Sequence, residues 1–165
     1  MSTDAAGPLS RPVAVADILP DGLDVAVEAS AEEREALAHA FKLPAIHSLT
    51  SRFHLSGTRD RVHVTGQVDA AIEQICVVTL DPFANEVHEA VEVDFASAGA
   101  TPPQGGDPPD AIVGGAVDLG ALTAEFLALG LDPHPRKPDA DFRFEGSDEP
   151  PPSPFAVLDK LRRDE

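Results

Sequence analysis

HSLTSRFHLSGTRDRVHVTGQVDAAIE, running from His47 to Glu73, alternates apolar and polar side chains through most of its length. Leu49, Phe53 and Leu55 fall on one side, and Ser48, Thr50, Arg52 and His54 on the other. That period of two belongs to strands with one buried face. Ser56 to Asp60 reads as a turn. Beyond it Val62, Val64, Val68 and Ile72 face inward, while Arg61, His63, Thr65, Gln67, Asp69 and Glu73 face outward. Gly66 interrupts this second strand and is the expected position of a bulge. Ile75 to Leu80 loses the alternation and reads as a strand buried on both sides, up to the Asp81-Pro82 turn. Val87, Val91, Val93 and Phe95 then mark a third half-buried strand. Short connections make an antiparallel meander the economical topology.

Upstream, Arg11–Asp17 and Leu23–Glu28 alternate as two further strands. Ser30 with Glu33 spells a capping box, and Ala36, Leu37, Ala40 and Phe41 supply an apolar helical stripe ahead of Pro44. Downstream, Asp118 is positioned to cap a second helix bearing Leu119, Leu122, Phe126, Leu127 and Leu129, ended by Gly130 and Pro133. The expected fold is α+β: a twisted antiparallel sheet, open or curled into a partial barrel, with two packed helices and flexible Pro/Gly-rich segments. In domain terms, residues 1–10 are expected to be disordered, and 11–133 to form one domain with a flexible loop at 98–115. Residues 134–152 read as a Pro-rich linker and 153–165 as a C-terminal docking segment carrying Phe155 and Leu158.

The 165 residues carry a net charge of −17, with neither tryptophan nor tyrosine. Between Val62 and Pro135 there is no lysine or arginine, yet there are twelve aspartates and glutamates. Such a surface repels nucleic-acid phosphates and attracts basic partners, besides favouring solubility. One cysteine excludes an internal disulfide and fits a reduced, cytoplasmic setting. No apolar run approaches a membrane span, and the N-terminus lacks the layout of a signal peptide, so no membrane association is expected.

Three segments, in order, resemble the YceD family, named for accumulation of large-subunit ribosomal RNA. They are CVVTLDPF (Cys76 to Phe83), VDLGALTAEFLALGLDPHP (Val117 to Pro135) and PSPFAVLDKL (Pro152 to Leu161). The first is similar to the family's Cys-x-x-Cys-Leu-x-Pro-Phe block, so Cys76, Leu80, Asp81, Pro82 and Phe83 form the family-motif turn. Further Cys and His of family members imply a metal site. Here Thr79 stands in the second cysteine position, so no metal ligand and no cofactor is assigned. The resemblance implies a non-enzymatic factor in ribosome assembly, binding a basic ribosomal protein or a pre-ribosomal particle.

Other readings stay open. Arg52, His54, Arg61 and His63 form a small basic patch if Phe53 and Val64 are neighbours, which would set His54 near His63 and Arg52 near Thr65. Such a patch suits RNA phosphate or an acidic partner, although the net charge disfavours RNA and the patch lacks aromatic residues that would stack bases. Asp132 and His134 read as a structural turn rather than an acid–base pair. No phosphate loop or nucleophile elbow is present, which argues against catalysis. The alternatives are a metal- or thiol-dependent enzyme centred on Cys76, and a small-molecule carrier using a barrel interior.

Overall fold

In the computed structural model, residues 7–100 and 108–141 are described. Phe155 and Leu158 therefore lie outside the described residues, as do most of the expected linker and all of the docking segment. Among the described residues, seven strands and two α-helices follow the order β1 (Pro12–Ala14), β2 (Leu23–Glu28), α1 (Ala31–Phe41), β3 (Ala45–Thr58), β4 (Arg61–Ile75), β5 (Pro82–Ala96), β6 (Asp110–Ala111), β7 (Ala116–Asp118), α2 (Leu119–Gly130). Five strands form one open sheet in the order β2-β3-β4-β5-β6. All its pairings are antiparallel except the short β5–β6 pair, which makes the sheet mixed. It does not close into a barrel, so the carrier reading loses its enclosed interior. β1 and β7 form a separate antiparallel pair, and Val15–Asp17, expected to extend the first strand, is a 3₁₀ turn instead.

Alternation sets the layering. Val27, Leu49, Phe53, Leu55, Val62, Val64, Val68, Ile72, Val87 and Val91 are all buried on one face of the sheet. Leu37 and Ala38 of α1, and Leu119, Leu122 and Leu127 of α2, share the same core. A hydroxyl pair bridges the layers: Ser51 Oγ and Thr123 Oγ1 are 2.7 Å apart and buried. Thr123 also donates to the Leu119 carbonyl, so both hydroxyls are satisfied without solvent.

Both helix starts match the sequence reading. Glu33 N–H donates to Ser30 Oγ and Ser30 N–H donates to the Glu33 carboxylate. Asp118 accepts from the N–H groups of Gly120 and Ala121. Each start is also tied to the N-terminal segment. Arg11 grips Glu33 through two guanidinium bonds of 2.7 and 2.9 Å, while Ser10 Oγ and Arg11 N–H donate to Asp118. Leu9 is buried in the core, so residues 9 and 10 are ordered where disorder was expected.

Hydrogen bonding from Arg11, then from the Ser30 amide, lowers the Glu33 pKa to about 2 from 4.5. A carboxylate with a depressed folded pKa stabilises the fold above its unfolded value, and that contribution disappears as pH falls through the folded one. The acid limb of the stability curve is therefore expected to be shallower in Glu33→Gln between pH 4.5 and about 2. An identical dependence of unfolding free energy on pH in the two proteins, measured by denaturant titration across that range, would contradict this role.

Two strand details depart from expectation. The bulge lies at His47, between Ile46 and Ser48, and not at Gly66, which keeps regular register opposite Phe53 and Val91. Gly66 answers to a close approach: a Cβ there would run into the Arg52 carbonyl oxygen and come within 2.8 Å of Phe53 Cδ1. Cys76–Leu80 is not a doubly buried strand. β4 stops at Ile75 and the chain reverses, with Leu80 in the left-handed region at φ 59°. Leu80 N–H donates to the Cys76 carbonyl and Cys76 N–H to that of Asp81, closing the turn. Val77 is 45% and Leu80 74% exposed. Pro82 opens β5, a position where its missing N–H is tolerated.

Candidate partner-binding face

With both helices on the buried side, the other side of the sheet faces solvent. Its cross-strand rows follow from the register. One reads Asp24, His54, Thr65, Glu92; the next reads Ala26, Arg52, Gln67, Ala90; a third reads Glu28, Thr50, Asp69, His88. His63 faces Asp94, and Ala71 faces Glu86, further along the strands.

This register corrects the expected patch. Phe53 pairs with Gly66 and Leu55 with Val64, so His54 faces Thr65, Arg52 faces Gln67 and His63 faces Ser56. The cause is the turn. Only Arg59 and Asp60 connect β3 to β4, and this two-residue hairpin turn fixes Thr58 opposite Arg61 and hence Phe53 opposite Gly66, two residues from the assumed partner Val64. Nor is the patch simply basic. His54 Nδ1 lies 2.7 Å from Asp24 Oδ1, and His63 Nδ1 2.8 Å from Asp94 Oδ1. His47 meets Glu73 at 3.0 Å and His88 meets Asp69 at 2.7 Å in the same way. The Asp69 bond, then the Glu86 bond, raises the His88 pKa, and the His88 bond lowers that of Asp69. Arg61 sits at the hairpin end of the face, next to the turn. A shallow open depression of about 440 Å³ lies over Asp24, Ala26, Arg52, His54 and Thr65, where the small Ala26 leaves the backbone uncovered.

Sequence reasoning missed these imidazole–carboxylate pairs. The signal was present as histidines on outward positions among acidic neighbours, but only the register shows which carboxylate each one meets.

The family-motif turn lies at one end of the sheet. Cys76 is fully buried. Its sulfur accepts hydrogen bonds from Lys137 N–H at 3.4 Å and Thr79 N–H at 3.5 Å. Val77 N–H donates to the Pro135 carbonyl, so residues 135–137, expected to belong to a mobile linker, pack on this turn. Beneath it Gln74 is buried, accepting from Asn85 Nδ2 at 2.9 Å and donating to the Asp132 carbonyl at 3.2 Å. Asp132 also accepts from His134 N–H, the bond of a structural turn. Phe83 is half-buried.

The donor set around Cys76 does not fit a zinc ion. Thr79 brings a hydroxyl where a second thiolate would be needed, which leaves Cys76 as the one sulfur at this turn. Among the described residues no group of three or more His, Cys, Asp or Glu is placed to hold a metal.

The Lys137 amide, followed by the Thr79 amide, lowers the Cys76 pKa from 9.0 to about 7. The thiolate thus adds stability above pH 9.0 that is lost as pH falls through about 7. The stability difference between the wild type and Cys76→Ala is expected to widen as pH rises across that window. A difference independent of pH in urea titrations would rule out a thiolate held by these amides.

A family model for the large ribosomal RNA subunit accumulation protein YceD matches residues 64–162. The chain belongs to the YceD family. Neither a curated protein nor a solved structure matches it. The matched span starts at Val64 in β4, so the YceD region takes in most of β4, all of β5, the Cys76 turn and α2, while β2, α1 and β3 lie outside it. The family's name connects the chain with large-subunit ribosomal RNA accumulation. Among the described residues no helix is long and apolar enough to cross a membrane.

Proposed function

We propose that this YceD-family chain is a non-enzymatic factor supporting accumulation or processing of large-subunit ribosomal RNA. It acts in the cytoplasm by holding a basic ribosomal protein, or an assembly intermediate that displays one. The observation that carries this reading is the solvent-facing side of the sheet, where Asp24, Glu28 and Asp69 lie in the rows beside Arg52 and Glu86, Glu92 and Asp94 line β5. The stretch without lysine or arginine from Val62 to Pro135 spans β5 and α2, which keeps that half of the molecule negative. Many ribosomal components are basic because they must neutralise phosphate, and a negative surface shields such a chain before RNA takes it. Direct RNA contact is disfavoured, since each phosphate would have to approach against the same field.

The paired histidines do not reverse this. Each imidazole already has a carboxylate partner, so it offsets charge locally without presenting a free cationic site. A thiol enzyme centred on Cys76 gains no support from a sulfur buried beneath residues 135–137.

The test is removal of the gene followed by measurement of mature and precursor large-subunit ribosomal RNA. A fall in the mature species, restored by the wild-type chain and not by a Glu86→Lys, Glu92→Lys, Asp94→Lys triple variant, is the expected result. An unchanged RNA profile would sink the proposal. Crosslinking of the purified chain to RNA alone, with no ribosomal protein captured from an equimolar mixture, would sink the protein-binding mechanism.

A further inference from the structure

β5 is fifteen residues long, yet on its outer side β6 covers only Phe95 and Ala96. From Pro82 to Asp94 that side has no strand partner among the described residues. The direction of each peptide group can be read from three bonds. Cys76 N–H donates to the Asp81 carbonyl across the β4–β5 turn, which makes the odd-numbered residues of β5 the ones bonded to β4. The Ala96 carbonyl, even-numbered, accepts from Ile112 N–H on the opposite side. Glu86 N–H, also even, is taken by the side chain of Asn85 and not by β4. The peptide groups of Ala84, Glu86, His88, Ala90, Glu92 and Asp94 therefore point out of the sheet. All six residues are exposed. Their side chains stand on the solvent-facing side, where three are carboxylates.

A long free edge invites another strand. Its charge decides which one. A second copy of this chain pairing β5 against β5 would set Glu86, Glu92 and Asp94 of each copy on one shared face, which opposes association. RNA meets the same carboxylates. An extended segment with lysine or arginine at alternate positions satisfies both features: its backbone completes the ladder and its cations lie over the acidic row. We infer that the outer edge of β5, from Ala84 to Asp94, receives an extended basic segment of a protein partner by strand addition. This rests on the reading that the acidic face meets a basic protein, and it adds the place and the mode of contact.

The experiment is amide hydrogen exchange on the full chain with three probes. They are a synthetic peptide alternating lysine and threonine, the same peptide N-methylated at every residue so that neither of its edges can donate to a ladder, and a single-stranded RNA oligonucleotide. The unmodified peptide is expected to slow exchange at His88, Ala90, Glu92 and Asp94 by about tenfold, and methylation to abolish the effect. Ala90→Pro removes one edge N–H without removing a bond to β4. It is expected to weaken peptide binding by about tenfold, roughly the worth of one hydrogen bond, with β4 amide protection confirming that the fold is kept. Equal binding of both peptides without protection of β5 would overturn strand addition and leave the acidic-face reading standing. Protection of β5 by RNA would overturn both, as would failure of the peptide together with failure of purified ribosomal proteins to crosslink to the face. Failure of the peptide alone would overturn strand addition.

Discussion

Leu127→Ala is expected to destabilise the protein by about 3–4 kcal/mol, the size found for fully buried leucines. Leu127 is at 0% exposure in the core that α2 shares with the sheet. Gly130, one turn on, sits so close to β5 that a Cβ there would press on Val87 and Glu89. The helix therefore cannot slide inward to fill the space left by the leucine. Ser51 and Thr123 add a directional constraint, because movement of α2 would break a buried hydroxyl pair. The loss is read as a lower denaturation midpoint with an unchanged slope. A penalty below about 1 kcal/mol would mean that the layer collapses freely, and the account of a helix pinned by Gly130 and Thr123 would fall.

The second large effect is expected at Gly66, where alanine should cost about 2–3 kcal/mol through overpacking. A single methyl group is a small insertion, but its place is occupied by the Arg52 carbonyl and by the Phe53 ring, itself 97% buried from solvent at 3% exposure. The backbone oxygen cannot rotate away without giving up the β3–β4 ladder. Trimming the ring as well separates the two collisions. Gly66→Ala in a Phe53→Leu background is expected to retain most of its penalty. If the penalty vanished there, the ring alone would be responsible and the backbone collision would be refuted.

Much of this architecture was legible because period two and period 3.6 are strong signals at Leu49–Leu55, Val62–Ile72 and Leu119–Leu127. The capping residues Ser30, Glu33 and Asp118 were equally legible, since their chemistry acts within three residues. Register was not. It depended on where the two strands turn, and the two-residue turn at Arg59 and Asp60 sets His54 opposite Thr65, where a Phe53–Val64 pairing would have set it opposite His63. Val77, Val78 and Leu80 misled for a related reason. Their β propensity describes a pleated, half-buried surface, while the actual constraint was closure of a turn through Cys76 and Asp81. The free edge of β5 lay beyond sequence reading altogether, because a strand does not announce which neighbour it lacks.

The pairing of the two chain regions around Arg11 and Asp118, 107 positions apart, also bears on biosynthesis. A chain made from its N-terminus exposes Leu9 and Pro12–Ala14 long before the residues that receive them have been translated. At about 5–20 residues per second, that interval lasts roughly 5–20 s. The β3–β4–β5 meander can mature meanwhile from neighbours already at hand, and the N-terminal clasp is left as the closing step of co-translational folding.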